Sequence, residues 1–248
     1  MLVGTADLQT LAVSAPSVPA FRSDTVTLAG VEVFQACFEM RAASRERPLP
    51  SGLHPTNPAT WIVLAWRCAE SPWGPFSLVQ LRIGCRSGVR TRGFVCAAAC
   101  DAAVAARELA ACWGFPTRAA RIMLSRRYDG CSLAVATVDA TSLAIEAQDP
   151  DPLAPDDVQY TGTLTLARTP RGLRLVQLEP RTQLERAERL RPRLERFDAA
   201  AWGHDALTPY HPVSASIGVG RIEIPPVRFV CRPDVLAFQG TESVAATG

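Results

Sequence analysis

The sequence predicts an α+β fold that is mostly β, with an antiparallel sheet closing on itself. About ten short runs of alternating or continuously apolar residues are separated by turn residues, as is typical of meandering strands. Residues 102–113 show clear helical spacing and residues 181–197 a weaker version of it. At 248 residues, 48% hydrophobic and 20% charged, the chain is long enough for one large domain.

The domain organisation is predicted from where periodic patterning begins and ends. Residues 1–20 carry Ala, Val, Ser and Pro without period and are predicted as a flexible arm, residues 21–240 as a single domain, and residues 241–248 as a frayed tail. The arm lacks the basic and apolar regions of a signal peptide, and no run approaches the ~20 apolar residues of a membrane span. We therefore expect a cytoplasmic protein that does not engage a membrane.

The first predicted strands flank a proline-rich loop. Val31–Arg41 alternates apolar and polar residues, which indicates a sheet packed on one face. Thr60–Ala69 is apolar on both faces and should be buried on both. Between them, residues 45–58 contain four prolines and His54, one of only three histidines. Because loops often carry function, His54 is a candidate ligand-binding residue.

Two strands and one helix are predicted next along the chain. Phe76–Arg86 and Val89–Cys100 are strand-like, and the helix should span residues 102–113. Asp101 is the expected N-cap, and Gly114 suits the C-cap. The segment therefore predicts two strands followed directly by a capped helix.

The second half predicts a meander over residues 121–148, a hairpin over residues 158–178 and a long final strand, Val213–Ile224. Arg181–Phe197 is dense in arginine and glutamate at spacings that suit a helix surface, interrupted by Pro192. We interpret this segment as a solvated or subunit-facing surface. The net charge of +2 is too small to favour nucleic acid.

The eight cysteines do not predict a metal site. None forms a Cys-x-x-Cys pair or has a histidine at ligand spacing, and most lie in apolar runs. Free buried thiols are therefore expected, with no metal and no cofactor.

Three short motifs resemble the acetoacetate decarboxylase superfamily in order and spacing. They are Gly74-Pro75-Phe76-Ser77-Leu78, Ala106-Arg107-Glu108-Leu109 and Phe115-Pro116-Thr117-Arg118. In that superfamily the corresponding segments read Gly-x-Tyr-x-Glu, Arg-Glu and Tyr-Pro-Lys-Lys. The resemblance implies a cone-shaped β-barrel around a ligand cavity and a homo-oligomer.

The residues that carry the superfamily's chemistry are changed in this chain. In the same register, Thr117 stands where the Schiff-base lysine would lie and Arg118 where the second lysine would lie, while Leu78 and Val63 replace two glutamates. The chain contains no lysine at all, since its 26 basic residues are all arginine. An arginine cannot serve as the amine nucleophile, so decarboxylation through a lysine Schiff base is excluded.

The sequence leaves two functions open. One is a cofactor-independent enzyme of lyase, isomerase or cyclase type, acting on a rather apolar metabolite that bears a carbonyl or carboxylate. The other is a non-catalytic small-molecule-binding pseudoenzyme. No nucleophile–base pair is visible, so catalytic residues are unassigned. Arg118 is the expected anchor for a carboxylate or enolate oxygen, unless it pairs with Glu108 across the turn. The candidate ligand-binding residues are Arg118, Thr117, Leu78, Val63, Phe76, His54 and Glu108.

Overall fold

A computed structural model describes residues 2–137, 140–205 and 207–244. The first half contains α1 (Leu8–Ser14), β1 (Val26–Met40), β2 (His54–Pro55), β3 (Thr60–Glu70), β4 (Phe76–Ser87), β5 (Arg90–Cys100), α2 (Ala103–Trp113), β6 (Thr117–Ala119) and β7 (Arg121–Arg127). The second half contains β8 (Gly130–Ala136), β9 (Thr141–Leu153), β10 (Gly162–Thr169), β11 (Gly172–Leu178), β12 (Arg181–Phe197), β13 (Pro209–Ile224), β14 (Phe229–Cys231), α3 (Ala237–Gly240) and β15 (Thr241–Ser243). The predominance of strand that the sequence predicts is confirmed.

One large mixed sheet contains all fifteen strands, in the order β15-β14-β11-β10-β5-β4-β3-β1-β13-β12-β9-β8-β7, with β2 beside β4 and β6 beside β5. The predicted purely antiparallel sheet is wrong, because β5 pairs in parallel with both β6 and β10. The helical connection through α2 returns the chain in the same direction, which produces a parallel pair. In the described part of the chain, no strand pairing joins the two ends of the path, β7 and β15.

Helix α2 forms close to where the sequence predicts it, but its entry differs. The helix begins at Ala103 after Ala102, which makes no side-chain cap. Asp101, the predicted cap, instead accepts a hydrogen bond from the Ser77 backbone N–H at 2.6 Å and ties the helix entry to β4. The predicted C-cap is confirmed, because Gly114 adopts the left-handed conformation with φ of 69°.

The charge-dense segment Arg181–Phe197 is a strand, so its predicted helical character is wrong. It lies between β9 and β13. Ala187 and Leu190 are buried, while Arg189 pairs with Asp151 across the strands at 2.8 Å. A strand accommodates this sequence better than a helix surface would. The neighbouring strands on both sides offer partners for its buried residues and for cross-strand ion pairs.

The N-terminal residues contact the domain in the structure. The backbone N–H groups of Gly4, Thr5 and Ala6 donate to carbonyls of residues 46–53. Asp7 caps α1, and Val18 is fully buried. The division into arm, domain and tail stays a prediction, and Met1 and residues 245–248 lie outside the described residues. No helix of the described chain is long and apolar enough to cross a membrane.

Two hydrophobic cores lie on opposite faces of the central strands. The first core includes Phe34, Phe38, Trp61, Val63, Leu81, Ile83, Ile145, Leu190 and Trp202. The second core, packed against α2, includes Leu64, Trp66, Phe76, Leu78, Trp113, Phe115 and Val176. Successive residues of β3 and β4 enter the two cores alternately. The prediction that β3 is buried on both faces is confirmed.

Candidate functional site

Strand β4 carries two polar side chains into the protein interior. Gln80 is 0% exposed and Arg82 is 2% exposed, although their neighbours Val79, Leu81 and Ile83 are all apolar. Strand alternation places Gln80 and Arg82 on the same face as Leu78. A glutamine and an arginine are almost never fully buried without a specific partner, so these two side chains mark a site that needs an explanation.

Arg82 is held by neutral acceptors only. Its Nε and Nη2 donate to Gln80 Oε1 at 3.0 and 2.5 Å, and its Nη1 donates to the Thr161 carbonyl at 3.3 Å. No carboxylate within the described residues forms an ion pair with it. Burial lowers the pKa of the Arg82 guanidinium to about 9. The positive charge is therefore desolvated and lacks a counter-charge from the protein.

A cavity of about 190 Å³ adjoins this guanidinium, below the ~300–1,000 Å³ typical of drug-sized ligand sites. We call it the inner cavity. Its lining residues are Leu64, Trp66, Arg82, Arg92, Tyr160, Thr161, Gly162, Thr163, Glu179, Pro180 and Thr182. Four of them have a buried side-chain atom without a hydrogen-bond partner, namely Arg92 Nε, Tyr160 OH, Thr161 Oγ1 and Thr163 Oγ1. The inner cavity thus combines an uncompensated cation with unused hydrogen-bonding groups.

Two glycines allow the arginines to approach the backbone closely. A Cβ atom at Gly162 would lie 1.9 Å from Arg92 Nη1, and one at Gly93 would lie 3.1 Å from Arg82 Cδ. Arg92 also donates to Glu179 Oε1 at 2.5 Å. This hydrogen bond lowers the pKa of the Glu179 carboxyl below its usual value. Glu179 is therefore ionised and bound to Arg92 at neutral pH.

A β-bulge lies directly beside the buried arginine. Leu81 pairs with Ala97 but Arg82 pairs with Val95, so Cys96 is the extra residue of β5. The Cys96 carbonyl accepts a hydrogen bond from His204 Nε2 at 2.8 Å. Bulges re-aim side chains and are common next to functional sites. The bulge in β5 thus lies beside the two buried polar residues of β4, Gln80 and Arg82.

Tyr160 supplies a neutral donor to the same cavity. Burial raises the pKa of its phenol well above the usual value, so the group stays protonated at neutral pH. A guanidinium and a phenol O–H can together donate hydrogen bonds to a carboxylate, a carbonyl or an enolate oxygen. In the part of the chain that the structure describes, no group of three or more potential metal-binding side chains occurs.

The predicted residues of the family frame lie on different faces. Leu78 and Phe76 are in the second core, whereas Val63 is in the first. Thr117 Oγ1 donates to the Ala106 carbonyl of α2 at 3.0 Å. Because Thr117 and Arg118 are consecutive strand residues, their side chains point to opposite faces.

Arg118 lies against Trp202 in the first core, with its guanidinium carbon 3.9 Å from the ring centroid. Its Nη1 donates to the Ala201 carbonyl, while Nε and Nη2 are buried without a partner. Glu108, half-buried on α2, accepts a weak hydrogen bond from the Cys112 thiol at 3.9 Å. The alternative pairing of Arg118 with Glu108 is not formed.

His54 Nδ1 donates to the Leu2 carbonyl at 2.8 Å. None of the seven predicted residues lines the inner cavity. His54 lines instead a larger open groove of about 1270 Å³, which we call the outer groove. The structure therefore does not bring the predicted residues into one site.

Sequence reasoning missed Gln80, Arg82, Thr161 and Thr163. A signal was present in β4, where two polar residues spaced by two interrupt an otherwise apolar run. Thr161, Thr163 and Thr165 alternate with apolar residues, a pattern typical of a strand with one solvent-exposed face, yet Thr163 is fully buried. Thr165 lies on the same face as Thr163, and its Oγ1 donates to the Trp113 carbonyl of α2 at 2.5 Å, so α2 packs on this face.

The fold and cavity define a mostly β protein with a small cationic interior site. Among solved structures, acetoacetate decarboxylase from Legionella pneumophila matches 91% of this chain and 89% of its own, with a TM-score of 0.74 and 16% identity. The enduracididine biosynthesis enzyme MppR, in complex with pyruvate, matches 92% and 93% of the two chains, with a TM-score of 0.68 and 15% identity. An acetoacetate decarboxylase-like enzyme from Sphingomonas wittichii matches 83% and 93%, with a TM-score of 0.66 and 14% identity. The superfamily resemblance is thereby confirmed at the level of the fold.

No family profile matches the sequence, and no curated protein matches it either.

Proposed function

We propose that this protein binds a small carboxylate or carbonyl compound in the inner cavity without forming a Schiff base. The observation that carries the proposal is Arg82, a fully buried guanidinium with no carboxylate partner in the described chain. An anionic ligand would supply the missing counter-charge through a charge-assisted hydrogen bond. The pyruvate bound by MppR, whose fold is similar, is a ligand of this class.

The proposed ligand does not become covalently linked to a side-chain amine. The chain contains no lysine, and arginine is not a usable amine nucleophile. Arg82 and Tyr160 can instead donate to an oxygen on which negative charge develops, as in enolate formation. This supports a lyase, isomerase or cyclase that needs no cofactor.

A second candidate is a binding protein without catalysis. Within the described parts of the chain, Glu179 is the only carboxylate that lines the inner cavity, and it is already bonded to Arg92. The carboxylate that could accept a proton from the ligand is thus already bonded to Arg92, which favours ligand binding without turnover. Proton exchange on a bound keto acid separates the two candidates.

We also propose that the sheet curls into the cone-shaped barrel implied by the resemblance. Arg67 Nη1, on β3, donates to the Leu124 carbonyl of the end strand β7 at 2.9 Å. The first core likewise combines residues of β3, β4 and β7, including Trp61, Leu81 and Leu124. Side-chain contacts can therefore close the interior where no strand pairing does.

Calorimetric titration with acetoacetate and with pyruvate tests the proposal. We expect binding by the wild type and at least roughly tenfold weaker binding by Arg82→Met, since one charge-assisted hydrogen bond contributes about 1.5–3 kcal/mol. Arg107→Met, a change of an exposed arginine on α2, is the matched control and should bind normally. Equal affinities of the two variants, or no binding of either acid by the wild type, would contradict the proposal.

Deuterium exchange separates catalysis from binding. An enzyme that forms an enolate should exchange the protons next to the carbonyl of acetoacetate in D₂O, as followed by NMR. A pseudoenzyme should bind the acid and leave the exchange rate of these protons equal to that in buffer alone.

A further inference from the structure

The outer groove adjoins the inner cavity. Arg92, Glu179 and Pro180 line both spaces. At about 1270 Å³ the groove is several times larger than the inner cavity of about 190 Å³. A ligand with a small head in the inner cavity could therefore extend into the groove past the Arg92–Glu179 pair.

The groove is strongly positive. Among the described residues, its lining contains five arginines and one carboxylate, Glu179. Glu179 Oε1 already accepts from Arg92 at 2.5 Å and from Arg90 at 3.1 Å. A single carboxylate is thus shared by two of the arginines, and the excess charge lies in the other three.

Those three arginines have no ion pair in the part of the chain that the structure describes, and all are exposed. They are Arg86, Arg181 and Arg228. The carboxylate directly across the strands from Arg181 belongs to Glu223. It is already paired with Arg221 at 3.2 Å. The groove thus offers guanidinium groups that the protein itself does not neutralise.

Apolar side chains lie among these charges. Val89 is 98% exposed, Phe238 78% and Phe229 39%, and all three line the groove. Exposed aromatic side chains next to arginines suit a ligand that combines an anionic group with an apolar or aromatic body. A free inorganic ion would leave these apolar side chains unused.

We propose that the outer groove binds a phosphate ester with an apolar or aromatic body, as the extension of a ligand whose carbonyl or carboxylate end lies in the inner cavity. The placement of the carbonyl or carboxylate end in the inner cavity rests on the proposed function. Phosphate is the best match because planar guanidinium groups bind its oxygens in pairs. The net charge of the chain, +2, and the limited extent of the groove favour a small molecule over nucleic acid.

ADP and inorganic pyrophosphate test the groove in the full chain, and acetoacetate serves as the probe of the inner cavity. The wild type should bind ADP more tightly than pyrophosphate, because only ADP can contact Phe229 and Phe238. Both affinities should fall as the salt concentration rises. The double variant Arg86→Met/Arg228→Met should lose roughly tenfold or more in ADP affinity, whereas Arg107→Met should match the wild type.

Binding at the inner cavity and binding at the outer groove can be tested separately. Acetoacetate binding should be unchanged in Arg86→Met/Arg228→Met, and ADP binding should be unchanged in Arg82→Met. If the wild type fails to bind ADP, or if Arg107→Met loses as much affinity as the groove variant, the groove proposal is overturned. Pyrophosphate binding as tight as that of ADP would overturn the proposal that the ligand is a phosphate ester with an apolar or aromatic body. If only acetoacetate binding is lost, the proposal for the inner cavity fails and the proposal for the outer groove stands.

Discussion

Removing the buried charge should leave the protein at least as stable as the wild type while abolishing its proposed ligand binding. The change is the double variant Gln80→Leu/Arg82→Met, which replaces the two buried polar side chains by apolar ones of similar size. In the wild type the Arg82 guanidinium donates three hydrogen bonds, two to Gln80 Oε1 and one to the Thr161 carbonyl, and both acceptors are neutral. Desolvating the cation costs several kcal/mol, and no carboxylate in the described chain offsets it.

The expected magnitude follows from these opposing contributions. Replacing buried charged groups by well-packed apolar residues is often neutral or stabilises by about 1–4 kcal/mol. We therefore expect the free energy of unfolding of the double variant to equal or exceed that of the wild type. The single variant Arg82→Met leaves the fully buried Gln80 amide without its partner. It should be about 1–3 kcal/mol less stable than the double variant.

Urea denaturation of the three ligand-free proteins, with comparison of their m values, measures these differences. Acetoacetate at high concentration should stabilise the wild type and leave the double variant unaffected. A double variant clearly less stable than the wild type would refute the reasoning. In that case the guanidinium stabilises the fold, and its burial needs no ligand to explain it.

Four further predictions concern other features. Incubation with acetoacetate or pyruvate and borohydride should leave the intact mass unchanged because there is no lysine; a stable adduct on an internal residue would contradict this. Light scattering should give a mass above the 26.7 kDa of one chain, with subunits meeting partly through Arg181–Arg196; a monomer at micromolar concentration would count against it. Because Arg118 packs against Trp202 and does not line the inner cavity, Arg118→Met should lower the Tm and leave the acetoacetate affinity unchanged; a roughly tenfold loss of affinity with an unchanged Tm would instead identify Arg118 as the anchor. The stability advantage of wild type over Glu179→Gln should be present above the ordinary pKa of glutamate and be lost as the pH falls through the lowered pKa of Glu179; a constant difference would argue against the Arg92 bond.

The charge-dense segment shows why local pattern alone misjudges some elements. Glu185 and Arg189 are spaced as on a helix surface, which is why residues 181–197 predicted a helix. In the structure Arg189 pairs with Asp151, a residue 38 positions earlier. Local spacing cannot reveal such a partner, because the cross-strand contact depends on which strands become neighbours.

The sequence by itself determined the abundance of strands, the position of α2 with its Gly114 cap, the decarboxylase-like frame and the absence of a lysine nucleophile. These features depend on local periodicity, turn chemistry and composition. Only the tertiary structure decided which polar residues are buried. Arg82 and Thr163 line the same cavity because β10 pairs in parallel with β5, which in turn pairs with β4, and local alternation does not show which strands become neighbours.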